Sequence, residues 1–115
     1  MSTTRDHTAL VNDLLVALGA KPTLGKWWKN NTGALPTDSG AYISYGLPGS
    51  PDIVGLLASG TWCGIEVKTG GGVLSAQQKK FRAMVTNYNG VYIEARDIQN
   101  TLSTLEALCS KCKKS

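Results

Sequence analysis

Two short apolar runs in the middle of the chain constrain the fold more than any other feature. They cover residues 52–57 and 61–68, and a link of three residues that ends in glycine joins them. Runs of this length with so short a link are typical of an antiparallel β-hairpin. We therefore predict two paired strands, with the start of the first strand beside the end of the second.

Three helices are predicted around this hairpin from apolar residues that recur at intervals of three and four. They cover residues 6–18, 75–88 and 98–109. Further extended segments are expected at residues 26–31, 41–45 and 91–95. The fold class is therefore α/β, a single domain of residues 1–115 with a mixed sheet flanked by helices, in the order α-β-β-β-α-β-α.

The apolar residues at helical spacing are expected to face the core. The first helix contributes Leu10, Val11, Leu14, Leu15 and Leu18. The second contributes Phe81, Met84, Val85 and Tyr88, and the third Ile98, Leu102, Leu105 and Leu108. Each helix thus has one apolar stripe with which to cover the sheet.

Bulk composition excludes several classes of protein. With 42% hydrophobic and 17% charged residues in 115, the chain suits an ordinary soluble domain rather than a disordered tail. No stretch approaches the roughly 18 apolar residues of a membrane span, and no signal-peptide pattern opens the chain. We expect a cytoplasmic protein that does not bind membranes.

The three cysteines argue against a disulfide framework because their number is odd. Cys109 and Cys112 have the spacing of a zinc-binding pair, but a structural zinc site needs four ligands. Cys63 and His7, the remaining candidates, are remote in sequence. We expect reduced thiols and no structural zinc.

A formal net charge of +4 and a pI near 9.1 favour an anionic partner such as nucleic acid. The segment 26–31 interleaves lysines with Trp27 and Trp28, and strand alternation places these two rings on opposite faces, so at least one is expected in the core. A basic tail covers residues 110–115. The candidates for DNA contact are Lys26, Lys29, Asn31, Ser50 and Lys79.

The second strand of the hairpin ends in Ile-Glu-Val-Lys, with Glu66 and Lys68 on one face. Asp52 opens the first strand, so the hairpin brings it close to both. Two neighbouring carboxylates repel each other unless a cation is present, and Mg²⁺ prefers hard oxygen ligands of this kind. We predict a Mg²⁺ or Mn²⁺ site formed by Asp52, Glu66 and the main-chain carbonyl of Val67, with Lys68 available to stabilise the charge of a transition state.

These residues also permit a simpler interpretation. Glu66 and Lys68 can form a surface pair on an edge strand, with Asp52 as a turn residue. An acidic residue and a lysine two positions apart are common in strands. The residues alone leave both interpretations open.

The wider sequence resembles the PD-(D/E)xK nuclease superfamily, and within it the stand-alone VRR-NUC family found in bacteriophages. The resemblance includes the strings GLPGSPDIVG, GIEVK and LSAQQKKF. The matching segments keep their order and spacing, and they are residues 31–33, 46–55, 64–68, 74–81 and 90–96. If the resemblance holds, a phage-encoded chain would act in the cytoplasm of the host cell.

The resemblance implies a divalent-metal-dependent DNA endonuclease that hydrolyses phosphodiester bonds. Asp52 and Glu66 would be metal ligands, Lys68 would be catalytic, and Gln78 would reach into the site. The family usually adds a glutamate from its first helix, where this chain has only Asp6 and Asp13, and either is a candidate ligand. Compact members look like homodimers that act on branched DNA such as four-way junctions.

Two residues have structural interpretations that compete with a functional one. Gln78 follows Ser75 at the spacing of a capping box at a helix N-terminus, and this role is compatible with reaching the site. His7, the single histidine, is expected to be a surface residue rather than a general base. A DNA-binding or assembly module without catalysis is the alternative function, and a sequence-reading restriction enzyme would need a recognition element that so short a chain does not show.

Overall fold

The computed structural model describes residues 6–31, 33–45 and 47–113. Within these residues the chain forms three helices, which are α1 (His7–Gly19), α2 (Ala76–Asn87) and α3 (Ile98–Lys113). It also forms six strands there: β1 (Gly25–Lys29), β2 (Gly33–Pro36), β3 (Tyr42–Tyr45), β4 (Ile53–Leu57), β5 (Trp62–Val67) and β6 (Val91–Ala95). Thr32 and Gly46, which belong to segments that carry the family resemblance, lie outside the described residues.

The main sheet has four strands in the order β1-β4-β5-β6. The β1–β4 and β4–β5 pairs are antiparallel, whereas β5 and β6 are parallel and are connected through α2. A parallel pair needs such a crossover, because the chain must return to the same edge of the sheet. The predicted α/β fold with a mixed sheet and flanking helices is confirmed.

The predicted order α-β-β-β-α-β-α is wrong in its number of strands, because five strands rather than three precede α2. The strands β2 and β3 form a separate two-stranded sheet beside the main one. Each has only four residues, and β2 ends at a proline, which is unfavourable inside a sheet. The strand β3 was expected at residues 41–45, whereas the sequence pattern did not separate β2 from a loop.

One face of the main sheet packs against α1 and α3. The buried residues there form a single cluster that includes the predicted stripe of α1 (Leu10, Val11, Leu14 and Leu18) and the inward side chains of the strands (Ile53, Leu57, Cys63, Ile65, Val67 and Ala95). Leu105 and Cys109 of α3 complete the cluster. The predicted core positions of α1 and α3 are confirmed, with Leu15, Ile98, Leu102 and Leu108 partly buried against it.

The second helix covers much less of the opposite face. Phe81 and Val85 are buried there, but Met84 is 40% exposed and Tyr88 is 77% exposed. The prediction that Met84 and Tyr88 lie in the core is therefore wrong. Only a narrow stripe of α2 meets the sheet, and the two residues lie on the wall of an open apolar groove that Leu47 and Trp62 also line.

The third helix continues through Lys113, so the first part of the predicted basic tail is helical. Lys114 and Ser115 lie outside the described residues. Cys63 and Cys109 are free, buried thiols, and burial raises the pKa of Cys63 to about 12. No helix in the described part of the chain is long and apolar enough to cross a membrane.

Candidate metal centre

The β4–β5 hairpin places Asp52 beside the end of β5, as the sequence predicts. Ile53 is paired with Ile65, so Asp52, one residue before β4, lies next to Glu66 and Val67. Its Oδ2 accepts a hydrogen bond of 2.8 Å from the main-chain N–H of Val67. This bond fixes the Asp52 carboxylate at the end of the hairpin.

Glu66 is a buried carboxylate, with only 4% of the residue exposed. Its Oε2 accepts a hydrogen bond of 2.9 Å from Gln78 Nε2 and lies 3.6 Å from Lys68 Nζ. Burial, and after it the negative charge of Asp52, raises the pKa of Glu66 to about 7, although Lys68 and His7 act in the opposite direction. The Lys68 ammonium alone therefore does not compensate the two carboxylates, and an added cation would be favoured here.

His7 joins the two acidic groups from the first turn of α1. Its Nε2 lies 3.2 Å from Asp52 Oδ2 and 3.1 Å from the main-chain oxygen of Val67. His7, Asp52 and Glu66 each offer a donor atom, and these three atoms lie within 4.8 Å of one another. The carbonyl of Val67 points to the same place. Together they form a donor set that can hold a metal ion.

The first-helix member of this group is thus a histidine rather than an acidic residue. Asp6 is exposed at the N-cap of α1 and Asp13 is exposed further along the helix, and neither belongs to the cluster found among the described residues. The expectation that His7 lies at the surface is confirmed, since 46% of its side chain is exposed, but its ring also contacts the centre. The sequence could have indicated this position. His7 stands three, four and seven residues before Leu10, Val11 and Leu14, so it extends the inward stripe of α1 to the start of the helix.

Gln78 performs both of the roles that the sequence allowed. Ser75 Oγ accepts a hydrogen bond from the main-chain N–H of Gln78, and Gln78 Oε1 accepts one from the N–H of Ser75. This reciprocal pair is the predicted capping box. The amide nitrogen of the same side chain donates to Glu66. The cap therefore orients Gln78, and Gln78 holds the buried carboxylate.

Asn30 is a supporting residue that the sequence did not reveal. Its Nδ2 donates to Ser50 Oγ at 3.0 Å and to the main-chain oxygen of Pro51 at 2.9 Å. Its own N–H donates to the carbonyl of Asp52. The end of β1 is thus bonded to the residues that carry Asp52. Ser50, a candidate for DNA contact, is engaged in this network.

Two glycines permit close packing around the segment before Asp52. A Cβ on Gly49, whose φ is +81°, would lie 2.4 Å from the carbonyl oxygen of Gln77, so the loop is in contact with the start of α2. A Cβ on Gly64 would lie 2.5 Å from the ring of Pro51. Side chains at these positions would push the loop away from α2 and β5. The glycines therefore help to hold Asp52 beside Glu66.

The turn after Lys68 is held rather than loose. Arg96 donates from its guanidinium to the carbonyls of Gly70 and Gly72 and pairs with Glu94. The N–H of Lys68 donates to the carbonyl of Ala95 at 2.9 Å. The backbone at Lys68 and in the turn that follows is therefore anchored to Ala95 and Arg96.

Of the remaining candidates for DNA contact, only one lies beside the centre. Lys29 lines a shallow depression together with His7, Asn30 and Asp52. The other candidates, Lys26, Asn31 and Lys79, are exposed and do not line this depression. Trp27 packs against the core while Trp28 is 46% exposed, which confirms that the two rings lie on opposite faces.

Compared with protein-family models, curated proteins and solved structures, the chain shows no significant match. The chemistry of the centre is therefore argued from its own geometry. Two carboxylates, a ring nitrogen and a carbonyl oxygen converge, and a lysine lies beside one carboxylate. Such a set can bind a divalent cation and present a positive side chain to an anionic ligand.

Proposed function

We propose that this chain is a metal-dependent DNA endonuclease of the PD-(D/E)xK type, similar to the stand-alone VRR-NUC nucleases. It would hydrolyse phosphodiester bonds in branched DNA, such as four-way junctions, as a homodimer. The observation that carries the proposal is the position of the Lys68 ammonium, 3.6 Å from a buried carboxylate of the candidate metal centre. In a simple surface ion pair the carboxylate would be exposed to water, whereas only 5% of the Glu66 side chain is exposed.

The residues of the centre have distinct tasks in such a reaction. Asp52, Glu66 and the Val67 carbonyl would hold Mg²⁺ or Mn²⁺, as hard oxygen ligands do. When bound, the cation supplies charge that polarises phosphoryl oxygens and lowers the pKa of an attacking water. Gln78 keeps the Glu66 carboxylate in place. Lys68 offers a positive charge to the phosphate oxygens as negative charge develops on them.

The surroundings of the centre suit a large anionic substrate. Lys29 lines the depression beside Asp52 and is exposed to solvent. A net charge of +4 favours association with a polyanion. Each protomer would contribute one such centre, whereas a symmetric junction requires two cuts. A twofold-symmetric dimer would supply both cuts.

The proposal is tested with purified protein and labelled DNA. Four-way, flapped and linear substrates are incubated with Mg²⁺, Mn²⁺ or EDTA, beside Glu66→Gln and Lys68→Met. We expect metal-dependent cleavage, reduced by about 100-fold or more in each variant, as for the loss of one group that stabilises the transition state. Glu106→Gln and Lys80→Ala, both at exposed positions, serve as matched controls. Cleavage that persists in EDTA, or in Glu66→Gln at the control rate, would refute the proposal.

The assembly is measured separately. Light scattering at micromolar concentration should give twice the 12.2 kDa mass of one chain. A monomer at that concentration would contradict junction resolution by a dimer. Whether a monomer cleaves other DNA structures with a metal is decided by the cleavage assay.

A second candidate function is favoured by the absence from the first helix of the glutamate that the VRR-NUC family usually has there, since α1 contributes His7 to the centre instead. In this alternative the chain binds DNA or assembles with it but performs no chemistry. It predicts tight, salt-dependent junction binding with no cleavage in any of the metals above. Metal-dependent cleavage that Glu66→Gln abolishes would exclude it.

A further inference from the structure

We infer that His7 is a direct metal ligand and that it makes this centre select a first-row transition-metal ion, such as Mn²⁺ or Co²⁺, over Mg²⁺ and Ca²⁺. The inference concerns the ion that the centre holds, and it stands whether or not the chain cleaves DNA. It rests on the position of the imidazole nitrogen, on the acceptors around it and on the chemistry of the donor set.

The ring nitrogen of His7 lies close to two oxygen atoms of the centre. Two oxygen atoms, Asp52 Oδ2 and the carbonyl oxygen of Val67, lie within 3.2 Å of His7 Nε2. A single N–H on this nitrogen can point well at only one of them. A cation placed among the three atoms can interact with all of them at once. The contacts of the imidazole therefore bring together the donors that a metal ion needs.

The backbone explains why His7 reaches this place. His7 is the first residue of α1 and continues the stripe of Leu10, Leu14 and Leu18 toward the sheet. The helix packs against β1 and β5, so the stripe ends over the last residues of β5. Asp52 is held there by the N–H of Val67. The core packing of α1 thus places the start of the helix, and with it the His7 backbone, beside the centre, while 46% of the His7 side chain remains exposed.

The donor set then decides which ions fit. Mg²⁺ and Ca²⁺ are bound by oxygen ligands, with Mg²⁺ usually keeping several waters. An imidazole nitrogen is a softer donor that suits transition-metal ions. The two thiols with described side chains, Cys63 and Cys109, are buried in the core and are not part of the cluster. A site with one nitrogen and several oxygens matches Mn²⁺, Fe²⁺ or Co²⁺ better than an all-oxygen site does.

The general order of metal affinities already ranks Co²⁺ above Mn²⁺ at most sites. A simple comparison of affinities for the unmodified protein would therefore not identify His7 as the cause. The diagnostic quantity is the change in the transition-metal preference when only His7 is replaced. His7→Gln removes the imidazole, and His7→Glu replaces its nitrogen with carboxylate oxygens.

A spectroscopic test is available because the chain contains a single histidine. Tag-free protein is loaded with Mn²⁺ and measured by pulsed electron paramagnetic resonance for ¹⁴N modulation from a coordinated imidazole. Such a signal in the unmodified protein can come only from His7, and it should be lost in His7→Gln. Its absence from the Mn²⁺-loaded, unmodified protein would overturn the inference, whatever the variants do.

Calorimetric titrations with Mn²⁺, Co²⁺ and Mg²⁺ provide the second readout. We expect His7→Gln to weaken Mn²⁺ and Co²⁺ binding by about tenfold or more, since even loss of a supporting contact to a ligand has effects of that size. His7→Glu should lower the ratio of Co²⁺ to Mg²⁺ affinity, and Asn12→Gln, at an exposed position on the same helix, should leave the ratio unchanged. An unchanged ratio in both His7 variants would overturn the inference.

The two proposals fail in different ways. Protein that shows the imidazole signal but never cleaves DNA would refute the nuclease and retain the metal assignment. Protein that cleaves DNA with Mg²⁺ and shows no imidazole signal would do the reverse. Thermal unfolding of the metal-free variants checks that they fold.

Discussion

The two faces of the central hairpin use the same strands for different purposes. Toward α1 and α3, β4 and β5 present Ile53, Ile65 and Val67, each with no measurable exposure. Toward the other face, β5 presents Gly64 and Glu66, and Glu66 is nearly as buried at 4% exposure. Consecutive residues of one strand thus have similar burial and opposite chemistry. Burial alone does not tell a core position from a functional one; the partners of the side chain do.

The energetic consequences differ accordingly. Burying an aliphatic side chain such as Ile65 stabilises the fold by about 1.5–3 kcal/mol. Burying Glu66 raises its pKa to about 7, which means that the charged form is disfavoured in the folded protein. Gln78 and Lys68 reduce this penalty without removing it. Holding the charged Glu66 carboxylate in this buried position therefore lowers the stability of the folded protein.

The largest expected effect is on the core face. Ile65→Ala should lower the free energy of unfolding by about 2–5 kcal/mol, because it leaves a cavity in the buried cluster. Leu56→Ala, at a position on the opposite face that is 44% exposed, is the matched control and should cost much less. Urea unfolding measures both changes. Equal losses would mean that the two faces do not differ in the way described.

The second prediction concerns pH and the polar face. The pKa of Glu66 is about 7 in the folded protein, against an ordinary value of 4.5. Between these two pH values the folded state therefore retains a proton that the unfolded chain has released. The contribution of Glu66 to stability is therefore fully present below pH 4.5 and is lost as the pH rises through 7. In metal-free protein this loss should be at most about 3 kcal/mol.

Glu66→Gln isolates this contribution, since the amide does not titrate. Unfolding of wild-type and variant protein should be measured from pH 5 to pH 8 without metal and at pH 8 with Mn²⁺. The wild type should lose stability relative to the variant as the pH rises, and Mn²⁺ should restore it only in the wild type. Parallel pH profiles would show that the Glu66 carboxylate is not disfavoured by its surroundings.

A smaller effect is expected from the residue that connects the helix cap to the centre. Gln78→Ala removes the capping-box side chain and the hydrogen bond to Glu66, and it should cost about 1 kcal/mol. It should also weaken Mn²⁺ binding, because Glu66 loses a partner that orients it. Gln77→Ala changes an exposed neighbour and should do neither. Calorimetric binding measures the role of Gln78 at the centre, and urea unfolding measures its role in the capping box. A stability loss with unchanged Mn²⁺ affinity would show that Gln78 acts only in the capping box.

The smallest effect is expected in the apolar groove beside α2. Tyr88 is 77% exposed, so Tyr88→Ser should change the free energy of unfolding by no more than about 0.5 kcal/mol. Phe81→Ala, on the buried side of the same helix, should cost several times as much. Thermal unfolding provides the comparison. A large loss for Tyr88→Ser would mean that this rim contributes to the core after all.

The hairpin and the Asp52–Glu66–Lys68 group were predictable because they depend on strand alternation and a short link, both of which are local. The capping box at Ser75 was predictable for the same reason. The positions of His7 and Asn30 were not identified, because each reaches the centre from a different element, 45 and 22 residues before Asp52 in the chain. The exposure of Met84 and Tyr88 was also missed, since periodicity shows which helix face is apolar but not how far the sheet extends beneath it.

We expect His7, Asp52, Glu66 and the Val67 carbonyl to bind one divalent cation. The most direct test is an anomalous diffraction map from crystals of the full chain grown with Mn²⁺. We expect a peak within about 2.4 Å of His7 Nε2 and of oxygen atoms from both carboxylates, as for direct ligands. A well-ordered centre with no peak there, or a peak that Asp52 and Glu66 do not contact, would contradict it.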